Sequence, residues 1–285
     1  MINQWRKGMA GILVVLTMTA AVLRADDDDE DLDQVLANLN AALKRDPKNA
    51  AALTHRGTIW QKKGEIDKAL QDFDAAIKLN PKGANAFVMR GIVRHEQRQY
   101  DKALADFNEA IRLDPKDAAN YVLRGTAFSA KNDFDKAVAD FNAAIKIDPK
   151  NDEAFLNRAI VWQTKGEWEK ALKDGAEAAR LDPQSSAAWQ LQAWIRATAP
   201  VVKFRDGKQA LEAATKACEL SEFKDASALE ALAAAHAELG KFDEAVKSQT
   251  KAIAIMTAEK DEDLPDAQAR LKLYKARKAF REEGK

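Results

Sequence analysis

Small or helix-breaking residues recur in this chain at steps of 34 residues across residues 50–185. Four such positions held in phase over four copies are not a chance pattern, and a fixed period of this length is typical of stacked helical hairpins. The repeat therefore predicts an all-α solenoid that grows by stacking and has no single central core. The phased positions are Gly57, Gly91, Gly125 and Ala159; Ala69, Ala103, Ala137 and Ala171; Ala76, Ala110, Ala144 and Ala178; and Pro81, Pro115, Pro149 and Pro183.

Each copy reads as two amphipathic helices joined by a short turn. In residues 84–117 the first helix is predicted at 84–98 and the second at 101–113, from the helical spacing of apolar residues. The second helix should end at the Asp-Pro pair of 114–115, because proline disfavours a helical conformation in the residue before it. The small phased positions are interpreted as points where the two helices cross closely. The larger apolar residues that should fill the space between hairpins are Ile66, Tyr100, Phe134 and Trp168, with Phe73, Phe107 and Phe141.

The units resemble tetratricopeptide repeats. One example is Ala-Asn-Tyr-Val-Leu-Arg-Gly-Thr-Ala-Phe at 119–128, followed by Ala-Val-Ala-Asp-Phe-Asn-Ala-Ala-Ile-Lys-Ile-Asp-Pro at 137–149. The resemblance covers residues 50–185 strongly and the rest of the mature chain weakly. It implies a right-handed superhelical solenoid of antiparallel helix-turn-helix repeats, at 50–83, 84–117, 118–151 and 152–185.

Outside these four copies the pattern is less regular. Residues 26–49 read as an acidic leader and an N-terminal capping helix that ends at Asp46-Pro47. Gly175 stands where a Phe is expected, which should thin the packing of the fourth copy. Residues 186–225 are predicted to be an atypical repeat with a longer loop, 226–259 a further repeat, and 260–285 a capping helix that runs from 264 to 283.

The first 25 residues have the layout of a secretory signal peptide. A basic start is followed by an uncharged apolar run over 9–23, which is short for a membrane-spanning helix, and Ala25 precedes an acidic stretch. We expect an exported bacterial protein, periplasmic or secreted, with no membrane contact once the signal is removed. An uncleaved N-terminal anchor is the alternative.

A second periodic pattern pairs arginine with aspartate. One Arg and one Asp, sixteen residues apart, occur in every copy and fall on the first and second helix of the hairpin. We expect ion pairs that join the hairpins or adjacent copies, because each Arg comes with its own Asp. The pairs are Arg56 with Asp72, Arg90 with Asp106, Arg124 with Asp140, and Arg158 with Asp174.

The residues that carry chemistry in enzymes are scattered. His55, His95 and His236 lie in different copies without a thiol or carboxylate at metal-ligand spacing, so they are interpreted as solvated or groove-lining. Cys218 lies on an alanine-rich helical face and should be a small buried hydrophobic residue. With no phosphate loop, no nucleophile motif and 45 basic residues balanced by 45 acidic ones, we expect no enzyme activity, no cofactor, no metal and no nucleic-acid partner.

The expected function is that of a non-catalytic scaffold, which binds a peptide or partner protein in the concave groove of the repeats. Some members of the family hold a terminal carboxylate with Lys and Asn at two groove positions, where this chain has pairs such as Thr54 and Thr58, so carboxylate-clamp chaperone binding is disfavoured. The predicted groove residues are Thr54, Thr58, Gln61, Val88, Ile92, His95, Val122, Thr126, Ser129, Leu156, Ile160 and Gln163.

Two alternatives remain open. One is an envelope protein that binds a glycan or another small ligand, with a pocket near Trp189 and Trp194 in the irregular segment. The other is a non-catalytic subunit of an envelope enzyme complex.

Overall fold

A computed structural model describes residues 32–282, which form fourteen α-helices and no strand and pack as consecutive antiparallel pairs. The expected signal peptide, the acidic residues 26–31 and the last three residues lie outside this range. No helix between residues 32 and 282 has the length and apolar character needed to cross a membrane. The helices are α1 Leu32–Arg45, α2 Ala50–Lys62, α3 Ile66–Leu79, α4 Ala84–Glu96, α5 Tyr100–Leu113, α6 Ala118–Ala130, α7 Phe134–Ile147, α8 Asp152–Thr164, α9 Trp168–Leu181, α10 Ser186–Thr198, α11 Gly207–Leu220, α12 Ala226–Glu238, α13 Phe242–Glu259 and α14 Leu264–Lys275.

The described residues divide into two compact units, 32–149 and 150–282. In the first unit, α2 pairs with α3, α4 with α5, and α6 with α7. Two of the first helices begin at a capping side chain: Asn49 accepts a hydrogen bond from Ala52 N, and Asp117 accepts one from Ala119 N. Such caps satisfy backbone N–H groups that have no partner inside the helix.

The phased glycines of the first unit are explained by an aromatic ring. A Cβ atom added to Gly91 would lie 2.6 Å from Cε1 of Phe107, which belongs to the second helix of the same hairpin. The same contact joins Gly57 to Phe73 at 2.6 Å and Gly125 to Phe141 at 2.7 Å. Each Phe thus contacts the glycine of its own hairpin, and Phe107 also lies in a core cluster with Phe73 of the preceding hairpin and Leu123 of the following one, in line with its predicted place between hairpins. A larger residue at the glycine position would overlap this ring.

Most first helices end with a residue in the left-handed region, followed by a hydrogen bond back across the last turn. At the end of α4 this residue is Arg98, with φ 58°, and Gln99 N donates to Arg94 O at 2.8 Å. Glycine adopts this conformation without a steric cost, whereas other residues do so at a cost of about 1–2 kcal/mol. The equivalent residues are Gly64, Asn132, Gly166 and Gly240.

Arg98→Gly is therefore expected to raise the free energy of unfolding by about 1 kcal/mol, measured by urea denaturation. Ala105→Gly, at an exposed position inside α5, is the matched control and should lower it by about 0.5–1 kcal/mol. A loss of stability in both variants would contradict the account of Arg98.

In the second unit, the fourth copy has a small residue at both the glycine position and the Phe position. Ala159 stands at the glycine position and Gly175 at the Phe position. A Cβ atom on Gly175 would lie 3.4 Å from side-chain atoms of both Leu191 and Gln192, on α10. Leu191 and Gln192 of α10 therefore pack against Gly175, a contact that the sequence interpretation did not include.

The last helix ends earlier than the sequence predicted, at Lys275 and not at residue 283. Arg277 adopts φ 55°, and Lys278 N donates to Leu273 O at 2.9 Å, which closes the helix and turns the chain. Residues 276–282 then continue as a non-helical segment, here called the C-terminal segment. The capping helix is therefore shorter than expected, and the C-terminal segment takes the place of its last part in the second unit.

Candidate functional site

In each unit, the candidate site is the surface formed by the first helix of each hairpin. We call it the first-helix face and define it by the repeat positions of Thr54, Thr58 and Gln61, which recur on α4, α6 and α8. Eight of the twelve residues predicted to line a groove are buried and contribute little surface: Thr54, Ile92, His95, Val122, Thr126, Ser129, Leu156 and Ile160. The other four are partly exposed: Thr58, Gln61, Val88 and Gln163.

In the first unit, this face carries an amide–carboxylate contact between neighbouring hairpins. Gln61 Nε2 lies 3.1 and 3.0 Å from the two carboxylate oxygens of Glu96. Burial raises the pKa of the Glu96 carboxyl, and the hydrogen bond from Gln61 opposes that rise. The hydroxyl of Thr58 is used within its own helix, where it donates to Thr54 O at 3.2 Å.

His95 is a correction to the sequence interpretation, which treated the histidines as solvated or groove-lining. Its side chain is buried, and its ring centroid lies 5.2 Å from that of Tyr100. Burial lowers the pKa of His95 to about 4, so the ring is neutral near pH 7. His55 is exposed and His236 half-buried. Among residues 32–282 no group of three His, Cys, Asp or Glu side chains is placed to hold a metal ion.

All four arginine–aspartate pairs are formed. In the third copy, Arg124 donates from Nε and Nη2 to both carboxylate oxygens of Asp140, at 2.8 and 2.7 Å. The other pairs repeat this two-point contact at 2.6–3.1 Å. Each aspartate is buried, so a matching donor is needed to offset the loss of its hydration. The arginines are therefore structural and are not a basic surface for an anionic ligand.

In the first unit the same arginines also link one copy to the preceding one. Nη1 of Arg90 contacts Asp74 Oδ1 at 2.6 Å, while Nη1 of Arg124 donates to Asn108 Oδ1 at 2.8 Å. Arg56 reaches back in the same way to Asn40 of α1, at 2.8 Å. Each of these three guanidinium groups thus joins the two helices of its own hairpin to the helix that precedes the hairpin.

In the second unit, the first-helix face is covered by the C-terminal segment. Glu282 accepts hydrogen bonds from Gln163 Nε2, at 2.9 Å, and from the indole N–H of Trp194. The backbone N–H of Glu282 donates to Thr198 O at 2.9 Å. Arg281 forms an ion pair with Glu238 of α12. A non-helical stretch of the chain therefore lies across α8, α10 and α12 and bonds to each of them.

Beneath this segment lies a buried polar cluster. Arg270 of α14 donates to both carboxylate oxygens of Glu230, at 2.7 and 2.9 Å, and Gln249 Nε2 donates to the same carboxylate at 2.6 Å. The guanidinium carbon of Arg270 lies 5.5 Å from the ring centre of Trp194 and 5.8 Å from that of Phe280. The cluster fastens α14 to α12 and supports the aromatic pair above it.

Three residues considered for chemistry or for ligand binding take part in packing instead. Cys218 is buried in a cluster with Leu229 and Met256, and burial raises the pKa of its thiol to about 12. Trp189, part of the suggested small-ligand pocket, packs against hydrophobic clusters and donates its indole N–H to Pro183 O at 3.1 Å. Trp194, the other part, is buried and faces Phe280.

Among the predicted groove residues, Gln163 hydrogen-bonds to Glu282 of the C-terminal segment. Trp194, Thr198 and Glu238 were missed. The sequence did contain a signal for Trp194, because it lies 34 residues after Ile160 and so occupies the same repeat position. The C-terminal segment itself carries no periodic signal.

Three family models match the chain. Residues 61–118 and 226–258 match models described as tetratricopeptide repeat, and residues 125–166 match one described as TPR repeat. No curated protein matches the chain.

Several solved structures share the fold at low identity. Cut9, in its APC/C hetero-tetramer with Hcn1, matches with a TM-score of 0.71 at 15% identity, over 93% of this chain and 53% of that one. This chain thus spans about half the length of that relative. A tetratricopeptide repeat protein from Parabacteroides merdae matches with a TM-score of 0.59 at 18% identity, over 93% of this chain and 98% of that one. Yeast Tom70 matches with a TM-score of 0.59 at 20% identity, over 87% of this chain and 59% of that one.

Proposed function

Because the chain belongs to the tetratricopeptide-repeat family, we propose that it is a non-catalytic scaffold that binds a partner protein through an extended peptide segment lying along its first-helix face. One observation carries the proposal: in the second unit a non-helical segment of the chain itself lies on this face. It is held there by a backbone hydrogen bond from Glu282 N to Thr198 O and by side-chain contacts with Gln163 and Glu238.

The physical chemistry of the face suits this role. An extended peptide has backbone N–H and C=O groups that need partners, and it offers side chains on alternate sides. In the first unit the face supplies an amide and a carboxylate group, Gln61 and Glu96, and a partly exposed apolar residue, Val88. The arginines that could attract anions are already paired with buried aspartates. Recognition therefore depends on hydrogen bonds and apolar contacts more than on net charge.

The proposal is tested by selecting binders for the full-length chain from a library of random linear peptides. Selected peptides should bind saturably in solution, and Val88→Glu should weaken those that dock on the first unit by at least about tenfold, or 1.4 kcal/mol. The physical reason is that a carboxylate at this half-buried position must lose hydration when the peptide covers it.

Ala105→Glu is the matched control, because it introduces the same side chain at an exposed position of α5 in the same hairpin. It should leave peptide affinity unchanged. A library that yields no binder above an unrelated helical protein would contradict the proposed function. If all selected peptides bound the wild type and the Val88→Glu variant with equal affinity, the first unit would not be part of the peptide-binding site.

A further inference from the structure

The C-terminal segment leaves its helix through a turn that is unfavourable for the residue there. Arg277 adopts φ 55°, in the left-handed region where glycine is preferred; Gly64, Gly166 and Gly240 occupy this conformation at other helix ends, as do the non-glycine residues Arg98 and Asn132. An arginine in this conformation costs about 1 kcal/mol or more relative to glycine. Contacts made further along the segment therefore help to hold the chain in this path.

Those contacts fall on three consecutive residues of different chemistry. The ring of Phe280 lies 5.8 Å from that of Trp194, at a tilted angle, and also packs against the cluster that contains Ala233 and Tyr274. Arg281 pairs with Glu238 and donates to Ala197 O at 3.3 Å.

Glu282 completes the set with its two side-chain hydrogen bonds and its backbone bond to Thr198 O. An aromatic residue, a cation and a carboxylate in sequence are thus each matched by a separate group on the face.

The C-terminal segment has no buried residue as far as residue 282, whereas the preceding helix α14 buries Ala267, Arg270 and Tyr274. Arg270 and Glu230 of the polar cluster are 4% and 3% exposed and bind one another at two points. By contrast, residues 279–282 are half-buried and 276–278 are exposed. Arg281 also keeps a third of its side-chain surface in solvent. Contacts that remain partly hydrated contribute little stability, so this segment is far easier to displace than α14.

We propose that the surface formed by Gln163, Trp194, Thr198 and Glu238 is a binding site for an extended peptide that carries an aromatic, a basic and an acidic residue in sequence, and that Phe280–Glu282 occupies it as a built-in competitor. The inference rests on the proposed function, since it names the ligand class of one part of the first-helix face. A partner segment with the same three side chains can replace every contact that the chain's own segment makes. Because the competitor belongs to the same chain, it is present at a high effective concentration at the site. It therefore lowers the apparent affinity of the site for every such partner.

The probe is a fluorescent peptide with the sequence of residues 276–282, Ala-Arg-Lys-Ala-Phe-Arg-Glu, and its binding is measured by fluorescence anisotropy. The full-length double variant Arg281→Ala/Glu282→Ala should bind it at least about tenfold more tightly than the wild type, because the internal competitor is weakened. Adding Gln163→Ala to that variant removes a donor and should reduce probe affinity several-fold. Probes in which the Phe or the Arg is replaced by Ala should bind more weakly.

Lys275→Ala/Lys278→Ala is the matched control, since it changes two exposed residues next to the site and leaves the three contact residues intact. This variant should bind the probe like the wild type. Equal probe affinity in the wild type and the Arg281→Ala/Glu282→Ala variant would overturn the inference, as would the absence of binding to a variant with wild-type circular dichroism.

Hydrogen–deuterium exchange on the unaltered full-length chain supplies a second, independent readout. Excess unlabelled probe should increase exchange in residues 279–282, because the bond from Glu282 N to Thr198 O is lost on displacement. Unchanged protection at saturating probe would overturn the inference. Library peptides that respond to Val88→Glu would then still support the proposed function, so failure of the two proposals is distinguishable.

Discussion

Phe107→Ala is expected to lower the free energy of unfolding by about 3–5 kcal/mol, the usual cost of removing a fully buried aromatic ring. Phe107 has no exposed surface and lies on Gly91 in the same hairpin, within a cluster that includes Ile92, Val93 and Leu104. The cavity cannot close easily, because Gly91 has no side chain to move into it. Urea denaturation followed by circular dichroism measures the change.

Phe223→Ala is the matched control, since Phe223 is 46% exposed and its removal should change stability by less than about 1 kcal/mol. A double-mutant cycle tests the contact itself. Gly91→Ala alone should cost about 1–3 kcal/mol, since its Cβ would overlap the Phe107 ring. The same change in the Phe107→Ala background should cost much less. Additive effects would show that the ring does not require the glycine.

Arg270→Met is expected to cost a similar amount, about 3–5 kcal/mol, because it leaves the buried carboxylate of Glu230 without its cation. Gln249 still donates to that carboxylate, but a neutral amide cannot replace the charge. The methionine keeps most of the apolar contact with Trp194 and Phe280, so the loss reports mainly on the unpaired charge. Thermal and urea unfolding of the full-length variant give the measurement.

Arg112→Met provides the matched control on an exposed ion pair. Arg112 also donates to both carboxylate oxygens of its partner, Glu109, at 2.9 and 2.6 Å, yet it lies at the surface. Water compensates both groups there, so no measurable change in stability is expected. The double variant Arg270→Met/Glu230→Met should recover most of the loss, since it no longer buries a charge. If Arg270→Met, like Arg112→Met, leaves the free energy of unfolding unchanged, the polar cluster does not hold α14 in place.

The repeat made much of the fold predictable. Arg124 and Asp140 were expected to pair because every copy keeps the same sixteen-residue spacing, and a hairpin of this period places both side chains between its two helices. In residues 84–117, the copy for which bounds were predicted, the second helix begins one residue before the predicted start and ends at the predicted residue, Leu113. These features depend on contacts between residues close in sequence, and each contact recurs in all four copies, so the pattern is visible in the sequence.

The candidate site was less predictable. Helical phase identified the face but not how much of it the neighbouring helices cover, so residues such as Ile92 and Thr126 were expected in a groove and are buried. The contact of Gly175 with Leu191 and Gln192 was missed for the same reason, because both residues come from the next copy. Side-chain coverage depends on the distances between helices, which periodicity does not contain.

By itself, the sequence determined the helical hairpins, their order and the arginine–aspartate pairs, since all of these arise from local spacing repeated along the chain. Only the tertiary structure decided that the C-terminal segment lies on the first-helix face. Its contacts join Glu282 to Trp194 across 88 residues and to Gln163 across 119. A contact of that range, made once, has no second copy to reveal it, and it forms only after the helices between have stacked and brought their surfaces together.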